Sequence, residues 1–147
     1  MRTIIVGGPW TGKSTMASSL ARRRGLSLFL CTDTVKQAGE RALSQGALYT
    51  PSKFDDDWSG ASLWVATTWF TRPGPFVLEG LAACRALRKY ADVYDTNTPP
   101  CDEVVWLRCP RHGATPKHVS TGVGVESIML EMLDNWPELA AITRQEL

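Results

Sequence analysis

The stretch that most limits what this chain can fold into is Gly7-Gly8-Pro9-Trp10-Thr11-Gly12-Lys13-Ser14, followed by Thr15. Its spacing is G-x-x-x-x-G-K-S, the phosphate-binding pattern in which a glycine-rich turn wraps backbone N–H groups around phosphate oxygens. The flanks suit it. Arg2 to Val6 reads as a buried strand that runs straight into the first glycine, and Met16 to Arg24 reads as a helix. The N-terminus of such a helix adds partial positive charge at the same point. Lys13 is expected to reach the β- and γ-phosphates of a nucleotide, and the Ser14 hydroxyl to ligate Mg²⁺. A glycine-rich turn that held no ligand would have no use for Lys13-Ser14.

Composition narrows the rest. A chain of 147 residues is one domain by length, 1–147. The net charge of +1 excludes a generally basic nucleic-acid coat, so any contact with nucleic acid has to be local. No apolar run approaches membrane-spanning length, and the first apolar stretch stops at Gly7, too early for a secretory leader. Cys31, Cys84, Cys101 and Cys109 lack regular spacing, which suits a reduced, cytoplasmic setting. Nothing in the pattern speaks to oligomeric state.

Along the chain, strand-like and helix-like segments alternate, which predicts an α/β domain with a mainly parallel sheet of about four strands between helical layers. Leu26 to Cys31 reads as the second strand and ends at Thr32-Asp33-Thr34. Ligands of open parallel sheets gather beyond the C-terminal strand ends, so Asp33 points to the crevice of the phosphate loop. Thr32 or Asp33 also suits the N-cap of a helix from Val35 to Leu43. A loop from Gln45 ends in Asp55-Asp56-Asp57, which reads either as a solvated helix entry or as a metal or substrate contact. The helix from Trp58 to Phe70 carries Trp58, Trp64 and Trp69; these rings either pack in the core or line an acceptor site, with Trp58 best placed for the second role.

Phe76-Val77-Leu78 is the third strand, and it closes on Glu79-Gly80. A carboxylate at the end of a buried strand can hold Mg²⁺ through its water shell, beside Ser14. A helix from Leu81 to Ala91 follows, whose Arg85, Arg88 and Lys89 either steer an anionic substrate or solvate the surface. Glu103 to Leu107 is the fourth strand. The segment 108–122 that comes next carries Arg108, Arg111 and Lys117 and reads as a short basic lid, whose Arg108 and Arg111 would offset charge on a transferring phosphoryl group. After it come one buried helix face, Val125 to Trp136, and a tail from Glu138 that reads as a last helical turn or two.

Phosphoryl transfer needs positioning, Mg²⁺, charge stabilisation and a group that takes the acceptor's proton. Asp33 is the candidate for that last role. A kinase fits these parts better than a GTPase, since no guanine-specifying N-K-x-D occurs, or a motor, since the chain is short.

Gly7 to Ser14, then Thr32-Asp33-Thr34, then Leu78-Glu79-Gly80 resemble small P-loop kinases of the polynucleotide kinase and zeta-toxin-like group. Over residues 1–111 the resemblance implies a three-layer P-loop kinase core, ATP and Mg²⁺ as cofactors, and Asp33 as general base. Within the group, the small size and tryptophan-rich acceptor side are similar to bacteriophage 5-hydroxymethyluracil DNA kinases. That implies a DNA-base acceptor in a host cytoplasm, a flipped base stacked on tryptophan, and Lys36, Trp58, Arg85 and Arg88 as substrate residues. The alternatives are a nucleoside, nucleotide or other small-molecule kinase, and a nucleotide-binding module without transfer. The larger kinases also have a fifth strand after the lid; none is expected here.

Overall fold

The structure, a computed structural model, describes residues 1–37 and 58–146. Five strands form one sheet in the order β2-β3-β1-β4-β5, and every neighbouring pair is parallel. They are β1 Arg2–Gly7, β2 Leu30–Cys31, β3 Phe76–Glu79, β4 Glu103–Leu107 and β5 Thr143–Glu146. The helices are α1 Lys13–Arg23, α2 Thr32–Gln37, α3 Trp58–Trp64, α4 Ala83–Tyr94, α5 Pro116–Asn135 and α6 Pro137–Ile142. A π-helical turn, Val65–Trp69, continues α3.

The three layers follow from the two-residue period of a strand. Ile4, Val6, Leu78, Val104 and Trp106 face one core, which holds Trp69, Phe70, Leu87, Met129 and Leu139 from the helices. Ile5, Val77, Val105 and Leu107 face the other, smaller core against Ala17 and Leu20 of α1. Because both faces are covered, β1, β3 and β4 read as continuous apolar runs rather than as alternating ones. All the strands therefore point their C-terminal ends, and the loops that follow, to one edge.

Three expectations need correction. Among the described residues the sheet has five strands, and the tail is a short helix followed by β5, registered on β4 from Val104↔Thr143 to Leu107↔Glu146. Thr143-Arg144-Gln145-Glu146 is a polar edge strand, so no apolar alternation announces it; its pairing comes from β4. Second, the segment 108–122 is not a loop throughout. From Pro116 it is already α5, started by a capping box in which the His118 N–H donates to Thr115 Oγ1 at 3.2 Å and His118 Nδ1 accepts from the Thr115 N–H at 3.1 Å. Pro116 sits where a missing N–H costs nothing. Third, β2 is two residues long; Leu26 to Phe29 approach it without pairing. The expected loop Gln45 to Asp57, its three aspartates and the end of the helix to Leu43 lie outside the described residues.

Candidate functional site

The phosphate loop leaves β1 and enters α1 through Gly12, which has φ +90°. No side chain caps α1, and its first turn holds no acidic residue, so the helix N-terminus has its positive partial charge uncompensated. Lys13 is buried, and its Nζ donates to the Gly8 carbonyl at 2.7 Å, which folds the amine back across the loop. Burial pushes its pKa down; the charges of Glu79 and Asp33 oppose that.

Glu79 ends β3 with 1% of its surface exposed. Ser14 Oγ donates to its Oε1 at 3.0 Å, so the hydroxyl and the carboxylate expected around Mg²⁺ already touch. Burial raises the Glu79 pKa, and hydrogen bonds from Cys31 and Ser14 pull it back. This donor set fits Mg²⁺, which keeps several waters and needs only one or two protein groups beside nucleotide oxygens. Among the described residues no cluster of three or more His, Cys, Asp or Glu could hold a metal by protein ligands alone.

Asp33 lies in the first turn of α2, which starts at Thr32 directly after β2, and the turn after β3 fixes it. The Leu81 N–H donates to Asp33 Oδ1 at 3.1 Å, and the Ala82 N–H to Thr32 Oγ1 at 3.3 Å. Gly80 has φ +142°, and a Cβ there would lie 1.8 Å from Thr32 Oγ1. Only glycine lets the two turns come this close. The result is a cleft of about 280 Å³ lined by Lys13, Ser14, Thr15, Asp33, Glu79 and Arg111, with Pro9, Trp10, Gly12 and Leu81 completing the wall.

Arg111 reaches this cleft because its segment is pinned to the phosphate loop. The Arg111 N–H donates to the Trp10 carbonyl at 2.6 Å, and a Cβ at Gly12 would meet the Arg111 guanidinium at 2.7 Å. Trp10, at φ +64°, stacks its exposed ring on His118 with centroids 5.4 Å apart and donates Nε1–H to the His112 carbonyl at 3.2 Å. Arg108 is held elsewhere. It pairs with Glu126, donates to Gln145 Oε1 at 2.9 Å and lies 4.4 Å over the Trp106 ring. It lines a separate cleft of about 370 Å³ between Gly8-Pro9, the end of β4 and α5.

A further cleft of about 290 Å³ shares Leu81 with the first, and is lined by Trp58, Arg85, Lys117, Thr121, Gly124, Val125 and Ile128. Neither Arg85 nor Lys117 forms an ion pair among the described residues. Trp64 is half-buried and Trp69 buried, so of the three helix tryptophans Trp58 alone lines this cleft. Arg88 is turned away and pairs with Glu131 at 3.5 Å. Lys36 falls on α2, with its side chain outside the described residues. Lys117 and Leu81 were not singled out as substrate residues; the Thr115-Pro116 helix start was the signal that would have put Lys117 on a helix facing α4.

No family profile matches the sequence, and no curated protein matches it. Solved structures do. A shikimate kinase from Acinetobacter baumannii, in complex with shikimate, matches with a TM-score of 0.51 at 17% identity, over 99% of this chain and 83% of that one. A gluconokinase from Sinorhizobium meliloti 1021 matches with a TM-score of 0.47 at 20% identity, over 98% and 80%. A sugar kinase from Janibacter sp. matches at 0.41 and 16%, over 98% and 99%. The fold of this chain is that of the P-loop kinases. Among the described residues no helix is long and apolar enough to cross a membrane.

Proposed function

We propose that this chain is a kinase that moves the γ-phosphoryl group of ATP, with Mg²⁺, to a hydroxyl of a small anionic molecule. One observation carries the reading: a carboxylate with no role in phosphate binding, Asp33, shares a cleft with Lys13, Ser14, Glu79 and Arg111. A nucleotide-binding module without transfer needs no such group. Gly7 to Thr15 would cradle the phosphates, Lys13 would leave the Gly8 carbonyl for the β- and γ-oxygens, and Arg111 would offset charge on the transferring group. Ser14 and, through water, Glu79 would hold Mg²⁺, which supplies charge neutralisation when bound. Asp33 Oδ1 is engaged by the Leu81 amide, which leaves the other oxygen to accept the acceptor's proton. As that proton leaves, the acceptor oxygen bonds to the γ-phosphorus and the bond to ADP breaks.

The acceptor is read from the adjoining cleft. Two cations without partners among the described residues, an indole ring and an apolar floor of Leu81, Val125 and Ile128 suit a compact anion with an apolar face. The near-neutral surface and the fold shared with a kinase solved with shikimate support a small acceptor over a polymer. A hydroxymethylated DNA base is the second reading. Trp58 beside Arg85 and Lys117 favours it, since an indole can stack on an extruded base while cations meet its phosphates.

The test is incubation with γ-labelled ATP and Mg²⁺ against a panel: small hydroxy acids and sugar acids, nucleosides and nucleotides, 5′-hydroxyl oligonucleotides, and DNA carrying 5-hydroxymethyluracil. Label on small anions is the expected outcome. Label on the modified DNA base alone would replace it with the second reading, and ATP turnover with no labelled acceptor would sink both.

A further inference from the structure

Arg108 is held by a carboxylate, but Arg111 forms no ion pair among the described residues. Even so, its guanidinium lies against the phosphate loop: Nη2, Nε and Cζ would be 2.7, 2.9 and 3.0 Å from a Cβ at Gly12. What keeps it there acts through the rest of its segment, and that segment meets the loop at Trp10. The Arg111 N–H donates to the Trp10 carbonyl at 2.6 Å, and the indole Nε1–H donates to the His112 carbonyl at 3.2 Å. The indole ring then lies on the His118 ring, the two planes 6° apart. Trp10 is 52% exposed and has a left-handed φ of +64°, so neither core burial nor an easy backbone accounts for a tryptophan at this position. His118 is a firm support for it. Two hydrogen bonds of the capping box with Thr115 set the start of α5. Further along, α5 is packed so closely on the loop that a Cβ at Gly8 would lie 2.6 Å from the Gly122 Cα.

We propose that Trp10 and His118 are positioning residues for Arg111: their stacked rings, with the indole bond to His112, clamp residues 111–112 onto the phosphate loop and hold the guanidinium over Gly12. A cation held in place beforehand does not have to be ordered when the γ-phosphate arrives, so the clamp favours a triphosphate over a diphosphate. His118 thus has two separable tasks. Its N–H and Nδ1 start α5, and its ring carries the indole. The inference rests on the reading of this cleft as the seat of ATP, in which Arg111 meets the transferring phosphoryl group, and not on the identity of the acceptor.

The experiment has two readouts. Hydrogen exchange of the Arg111 amide in the ligand-free protein reports the clamp itself. Calorimetry with Mg²⁺ and either ADP or the β,γ-imido analogue of ATP gives the ratio of triphosphate to diphosphate affinity. His118→Gln removes the ring and keeps a side chain suited to the capping box, whereas His118→Phe keeps a ring and gives up one capping bond. Trp10→Ala is expected to speed the exchange about tenfold and His118→Gln about threefold, the size of a lost aromatic contact with and without the indole hydrogen bond. Each should lower the affinity ratio about threefold, and His118→Phe should match wild type in both readouts. Arg111→Ala should lower the ratio about tenfold, and adding Trp10→Ala to it should lower the ratio no further. Wild-type exchange in Trp10→Ala and His118→Gln would overturn the inference. So would a His118→Phe protein that behaves like His118→Gln, or a wild-type ratio in Trp10→Ala where Arg111→Ala lowers it. Faster exchange in both clamp variants with an unchanged ratio in Arg111→Ala would uphold the clamp and count instead against the phosphoryl role of Arg111 in the proposed function.

Discussion

The two clefts that meet at Leu81 are close to the same size, about 280 and 290 Å³, and are built in opposite ways. The cleft proposed for the phosphoryl donor is made of strand ends and helix starts. β1 runs into α1, β2 into α2, and β3 into the Gly80 turn; the Leu81 and Ala82 N–H groups donate to the Asp33 and Thr32 side chains and tie the second junction to the third, and Ser14 Oγ ties the first to Glu79. The cleft proposed for the acceptor is made of side chains from three helices, Trp58 on α3, Arg85 on α4 and Lys117 on α5, with no backbone hydrogen bond between these helices among the described residues. Where backbone sets a site, a few contiguous residues suffice to specify it. Where helix faces set a site, residues far apart in the chain specify it jointly, and each can be exchanged without disturbing the others.

The largest effect expected on that contrast is at the donor edge. Asp33→Asn should lower acceptor phosphorylation by about 10² to 10⁴, the range of a lost general base, while Mg²⁺–ATP binding holds. Single-turnover transfer beside equilibrium nucleotide binding checks it, and retained transfer would remove Asp33 as the base. Next come the two arginines. Arg111→Ala should cost about 10² in kcat, whereas Arg108→Ala, which loses pairing to Glu126 and Gln145 rather than to a phosphate, should change turnover only about two- to threefold. Equal losses in both would mean that Arg108 leaves Glu126 during turnover.

On the acceptor side, Arg85→Ala and Lys117→Ala should each raise the acceptor KM about tenfold and leave the KM for ATP alone, the signature of binding energy spent on the acceptor. A change in the ATP constant instead would show that the two clefts act as one. The smallest effect is on stability. Burial raises the Glu79 pKa above its unfolded value, so the folded state binds that proton more tightly than the unfolded chain does. Its contribution is fully present below the ordinary glutamate pKa and is lost as pH rises through the raised value. The ligand-free Glu79→Gln protein should therefore gain in melting temperature relative to wild type as pH rises from about 4 to 8, by about 2–4 °C per kcal/mol at this chain length. Lys13, pushed down by the same burial, acts with the opposite sign in the alkaline range: stability returns as pH rises from its lowered pKa towards the ordinary lysine value.

The contrast also explains what could be read before folding. Gly7 to Ser14, Asp33 and Glu79 sit at the C-terminal ends of apolar runs, and a parallel sheet with covered faces brings all such ends to one edge. Trp58 stood out because it begins its helix, and Arg85 as one of several basic residues on the next. Their meeting with Lys117 depended on α5 starting at Pro116, and the basic residues of 108–122 had suggested a loop instead. Arg108 and Arg111, three residues apart, diverge because one finds Glu126 and the other the bare surface of Gly12.

By itself the amino-acid sequence determined an α/β domain with a phosphate-binding loop and two carboxylates at its edge, since each rests on local spacing and strand periodicity. Only the tertiary structure decided that a polar tail joins the sheet as β5, that Arg111 rather than Arg108 covers the loop, that Cys31 lies against Glu79, and that Trp58, Arg85 and Lys117 share a cleft. Those facts depend on register between strands and on helix faces turned towards one another, and local sequence carries no record of either.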